Sequence, residues 1–198
     1  MTEETPRRPQ GPKGRLRARL EEVLLEAHGR GRAPVAIGRA SDLYGPAANS
    51  VTGDLVFRPV LLGRTARWLG SLDVPHTLTF VEDAARGLAQ LGIQDTAYGA
   101  IWHLPSGPPV TGREFIQAVG AEAGTSVRAA AIRGWMLALA GLLDPVAREA
   151  REVLYQFEAP FVMDTAKFER VFGGRVTPLS EGIRRTLDWW RAQGVGAG

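Results

Sequence analysis

An α/β fold built around a parallel sheet is predicted by three observations. Short apolar runs alternate with segments of helical periodicity through the first 110 residues. The last third is mostly helical, and neither an internal repeat nor a domain-sized linker interrupts the chain. Strands alternating with helices favour parallel pairing through right-handed crossovers.

Residues 1–12, rich in Pro and polar side chains, read as an extended lead-in, and residues 13–198 as one α/β unit. A helix is predicted over 13–28, because Leu16, Leu20, Val23, Leu24 and Ala27 form one apolar stripe and Gly29-Arg30-Gly31 ends it. A strand from Pro34 to Gly38 leads to Tyr44-Gly45-Pro46, a turn that closes regular structure. Residues 51–62 read as a short helix. Arg64 to Leu69 and His76 to Phe80 read as strands around a 70–75 turn. A helix to about Gly92 follows, with Asp83 near its positive end. Ala100 to Leu104 is a short strand. Thr111 and Glu114 match a capping box that opens a helix ending at Gly124. Asp144-Pro145 starts the next helix as N-cap and first-turn proline. Asp164 starts another, ending at Gly173-Gly174, and Thr177-Pro178 starts the last, with Leu179, Ile183, Leu187 and Trp190 inward.

Composition is ordinary for a globular domain: 198 residues, 44% hydrophobic and 23% charged. No cysteine is present, which excludes disulfide and thiolate chemistry and fits a reducing cytoplasm. Met1 precedes acids and prolines rather than an apolar run, so a secretory leader is not expected. The Trp135–Leu143 run is far shorter than the ~20 residues a membrane span needs. The net charge of +3 belongs to residues 1–32, which hold eight bases and five acids. With 22 Arg, two Lys and no reader motif, nucleic-acid and membrane partners are not expected.

The tract Arg39-Ala40-Ser41-Asp42-Leu43-Tyr44-Gly45-Pro46, followed by His76-Thr77-Leu78-Thr79-Phe80-Val81-Glu82-Asp83, carries a resemblance. It continues through Ile101 to Pro105, Asp164 to Phe168, Thr177-Pro178-Leu179 and Trp189-Trp190. In that order these segments resemble the second half of an extended short-chain dehydrogenase/reductase, the NAD-dependent epimerase/dehydratase family. The resemblance implies the C-terminal portion of a doubly wound Rossmann-like parallel sheet over 13–110, plus a mostly helical substrate-binding lobe over 111–198. It also implies NAD or NADP as cofactor and a hydroxyl- or carbonyl-bearing substrate.

The chemistry of that family is only partly represented. A glycine-rich strand-to-helix turn cradles the dinucleotide pyrophosphate in such folds, and no G-x-G-x-x-G or G-x-x-G-x-x-G occurs here. The family's Tyr and Lys, four residues apart on a helix, are matched by Lys13 and Arg17, and an ammonium cannot relay a phenol's proton. No catalytic residue is therefore assigned, and cofactor binding by this chain alone is not expected. Arg17, Ala40 and Ser41 are the candidate cofactor contacts; Asp42, Tyr44 and His76 are the candidate substrate contacts. Asp42 stands where the family often carries Asn. His76 stands where sugar-nucleotide enzymes tend to carry a diphosphate-binding Arg, which argues against such a substrate. No metal site is expected from three scattered His. The resemblance also implies a possible homodimer through helix 13–28. A binding or sensor protein that kept the fold without the chemistry is the alternative reading.

Overall fold

The computed structural model describes residues 1–9 and 11–196. In chain order the helices are α1 Pro12–Gly29, α2 Arg58–Leu61, α3 Val81–Ile93, α4 Gly112–Ala123, α5 Gly134–Ala140, α6 Pro145–Val153, α7 Ala166–Phe172 and α8 Leu179–Ala192. The strands are β1 Ile37–Arg39, β2 Asp42–Tyr44, β3 Ala66–Leu69, β4 Pro75–His76, β5 Leu78–Phe80, β6 Ile101–His103, β7 Val110–Thr111 and β8 Ala129–Ile132. The α/β class with parallel strand pairs is as predicted. The chain forms two compact units that interleave along the sequence.

The first unit comprises Met1–Ala40, Glu82–Ser106 and Met163–Val176. Its sheet is the parallel pair β1–β6, with Ile37 opposite Ile101 and Arg39 opposite His103. At Gly38 the strand lies close under the methyls of Leu88 and Leu104: a Cβ would stand 2.7 Å from Leu88 Cδ2 and 3.0 Å from Leu104 Cδ2, so those side chains would have to shift. Trp102 packs edge-on against Phe168 and Phe172 at 6.5 and 4.7 Å, the two phenyls are tilted on each other at 5.1 Å, and Lys167 Nζ lies 4.3 Å from the Trp102 ring centre. The residues of α1 include none that is fully buried, and Leu16, Leu20, Val23 and Leu24 of the predicted apolar stripe are exposed. The lead-in is tied down: Arg7 pairs with Glu21 at 2.8 Å, and Glu3 Oε1 accepts from His103 N–H at 2.9 Å.

The second unit comprises Ser41–Val81, Gly107–Val162 and Thr177–Gly198. It holds three strand pairs: β2–β5 and β3–β8, both parallel, and β4–β7, antiparallel. Its core gathers Tyr44, Phe57, Phe80 and Phe115, with ring centres 5.4–6.5 Å apart along successive contacts. The predicted capping box of α4 is present in both directions, as is the Asp144 cap of α6.

Four local readings change. The Tyr44-Gly45-Pro46 turn ends regular structure as predicted, but Asp42–Tyr44 just before it forms a strand that was not expected. The strands on either side of residues 70–75 do not pair with each other: β3 pairs with β8 and β5 with β2. The Ala129–Ile132 strand was not expected from an Ala run of low β preference, and tertiary pairing decides it. Residues 53–57 form a π-helical turn, in which Arg58 N–H reaches Gly53 C=O; Pro59 then leaves no N–H to continue an ordinary ladder at that point.

Candidate functional site

The second unit brings together two of the predicted substrate contacts. Asp42 opens β2 and His76 closes β4, 34 residues apart in sequence, and His76 Nε2 lies 2.7 Å from Asp42 Oδ2. The contact places the ring proton on Nε2, donated to the carboxylate. The imidazole is 1% exposed and stacked between two phenyl rings, Phe157 at 4.6 Å and Phe161 at 5.1 Å. Trp68 closes a third side edge-on at 6.1 Å. The Asp42 side chain keeps 38% of its surface open. One carboxylate oxygen is held by a buried imidazole, while Oδ1 has no hydrogen-bond partner among the described residues.

Two buried polar atoms beside this pair, His76 Nδ1 and Trp68 Nε1, have no hydrogen-bond partner among the described residues. Burying such atoms unpaired costs about 1–3 kcal/mol each. Asp42 and Trp68 also line a small cleft, with Thr52, Leu55, Arg67 and Phe157 around it. Its space of about 20 Å³ admits about one water. The π-helical turn contributes Leu55 to that wall. The arrangement is suited to accepting a hydrogen bond or proton from a hydroxyl on Oδ1, with the angle of the carboxylate fixed by His76.

The other candidates fall out differently. Tyr44 is 3% exposed and its ring is shared among Phe57, Phe80 and Phe115, which gives it a packing role. Ser41 is buried; its N–H donates to Thr79 Oγ1 at 3.0 Å and its hydroxyl to Thr77 C=O. In the first unit, Ala40 is exposed, and Arg17 is an exposed residue of α1 with no side-chain partner among the described residues. Arg17 alone of the three retains free hydrogen-bonding groups on its side chain.

Elsewhere in the first unit His103 is buried, with Nδ1 2.8 Å from Asp164 C=O. Burial holds its pKa below the ordinary imidazole value, against the Asp164 carbonyl and the Glu3 carboxylate, which raise it. Glu21 is held below the usual carboxylate range by the Arg39 guanidinium, which donates to both its oxygens at 2.7 Å. Sequence reasoning missed Phe157, Phe161, Arg67 and Trp68. No motif in the sequence marks them.

No known family model matches the chain, and no curated protein matches it. Solved structures do. The chain is similar to DesIV, a dTDP-glucose 4,6-dehydratase from Streptomyces venezuelae with NAD and TYD bound (TM-score 0.72, 24% identity, 97% of this chain and 54% of that one). The chain carries part of this fold. It is also similar to UDP-glucuronic acid 4-epimerase from Bacillus cereus in complex with NAD (0.76, 15%, 97% and 56%). RMD from Pseudomonas aeruginosa, complexed with NADPH, gives 0.74, 17%, 97% and 60%. The shared architecture is a partial Rossmann-like one, and the chain spans little more than half the length of these proteins.

Proposed function

We propose that this chain is the substrate-side portion of an NAD(P)-dependent epimerase/dehydratase-like protein acting on a hydroxyl- or carbonyl-bearing small molecule. A dinucleotide-binding α/β half, on the same polypeptide or on a separate one, supplies the cofactor. The single observation that carries this reading is the bareness of α1. Leu16, Leu20, Val23 and Leu24 are all exposed, on an 18-residue helix with no fully buried residue. An apolar stripe of that length is stable in water only when something covers it. The occupant we assign is the missing half, because neighbours of the same fold are nearly twice as long. Asp42, oriented by His76, meets the substrate. Its carboxylate suits a hydroxyl donor and repels the phosphates of a nucleotide sugar, as expected from the Asn-to-Asp and Arg-to-His departures.

The test is the cofactor released on denaturing the protein purified from its own cells. The reading expects NAD or NADP with the wild-type chain and none with Leu16→Glu/Leu20→Glu, while circular dichroism of the two stays alike. Wild-type protein free of nucleotide, or cofactor retained by the variant, overturns it. A second reading, a ligand-binding protein without turnover, is favoured by Lys13 and Arg17 at the family's Tyr and Lys positions. It predicts bound nucleotide or ligand with no consumption of NAD(P)H. A homodimer through helix 13–28 would instead give cofactor-free pairs whose stability depends on concentration.

A further inference from the structure

A second cleft, of about 530 Å³, lies in the second unit over the carboxyl ends of β3 and β8, and has no part in the Asp42–His76 pair. Its volume falls in the range of small-molecule sites, and the carboxyl ends of parallel strands are where open α/β sheets take ligands. The Gly70–Asp73 segment lines it. Gly70 has φ +65°, and a Cβ there would stand 2.5 Å from Phe157 C=O, so the backbone closes tightly only with glycine. On one rim Arg113 donates to both oxygens of Asp73, at 2.8 and 3.1 Å, and the two charges cancel.

The other rim is not neutralised. Arg133 and Glu158 line the same cleft, and neither side chain has an ion-pair or hydrogen-bond partner among the described residues. Glu158 Oε1 sits 3.9 Å from where a Cβ of Gly134 would be, so the carboxylate lies over the residue next to Arg133 without pairing with it. Trp135 follows, with 67% of its surface exposed along the cleft wall. A simple anion would satisfy Arg133 and leave Glu158 facing a like charge. A phosphate dianion would make that repulsion worse. A ligand bearing both charges satisfies both groups, and the indole face takes an apolar or flat substituent.

We propose that this cleft binds a small zwitterion, an α-amino acid with an aromatic or apolar side chain. Its carboxylate lies on Arg133, its ammonium on Glu158 and its side chain against Trp135. The proposal stands apart from the reading of Asp42 and α1, and its test uses neither. Titration calorimetry of the full chain with L-phenylalanine is compared with 3-phenylpropionate, which lacks the ammonium, and 2-phenylethylamine, which lacks the carboxylate. The Trp135 indole N–H is followed by NMR. Saturable one-to-one binding of L-phenylalanine is expected, with each analogue at least about tenfold weaker. Arg133→Gln and Glu158→Gln should each lose a similar factor, the second bringing L-phenylalanine down to the level of 3-phenylpropionate. Both side chains are exposed, and thermal melts confirm that the variants fold. No binding of L-phenylalanine, equal affinity for 3-phenylpropionate, or an unchanged Arg133→Gln variant overturns the proposal.

Discussion

His76 is the residue on which the candidate site turns, because its imidazole has one hydrogen-bond partner among the described residues and that partner is Asp42, the group proposed to meet the substrate. Asp42→Ala leaves a buried ring between Phe157 and Phe161 with both nitrogens unpaired. It should lower stability by roughly 1–3 kcal/mol in urea unfolding. Asp42→Asn, which can still accept from Nε2, should cost clearly less, and equal losses for the two would contradict the pairing. His103 makes a different prediction. Its folded pKa lies below the unfolded value near 6.5, so below that pH the unfolded chain takes up a proton that the folded chain refuses. Stability should therefore fall as pH drops through about 6.5 towards the folded pKa, then level off. His103→Asn should flatten that slope in denaturant midpoints measured across the range. Asp42 and His76 were both legible in the sequence as departures from a family pattern. Their contact was not, because nothing local connects positions 34 residues apart.

At the scale of elements, reading succeeded where a residue's chemistry fixes the backbone and failed where pairing does. Thr111 and Glu114 announced the start of α4, and Asp144-Pro145 that of α6, since caps act within one turn. Thr111→Ala should lower stability by about 1 kcal/mol, seen as a shift in the denaturant midpoint at unchanged slope. By contrast β2, β7 and β8 are two to four residues long and exist through partners far along the chain, so periodicity had too few positions to show them. The turn after β3 is equally tertiary. Gly70→Ala should destabilise through both its positive φ and the Phe157 carbonyl, by more than the ~1 kcal/mol typical of a compatible site. A neutral result in the same unfolding assay would mean that the backbone there relaxes freely.

For the whole molecule, the sequence made the α/β class and the parallel pairing legible, and the solved structures of similar fold agree. The interleaving of the two units was hidden, because it depends on which distant segments cluster and not on composition. The stripe on α1 was read correctly as apolar, but its exposure was invisible: a stripe looks the same in sequence whether its cover is present or supplied from elsewhere. That exposure is the basis for the central claim, that a dinucleotide-binding half completes this chain. Its most direct test is native mass spectrometry of the C-terminally tagged product from source cells, with sequencing of whatever lies beyond these 198 residues. The account predicts a species heavier than 21.4 kDa whose additional sequence holds a glycine-rich turn between a strand and a helix. A 21.4 kDa monomer, or a dimer of that mass alone, would contradict it.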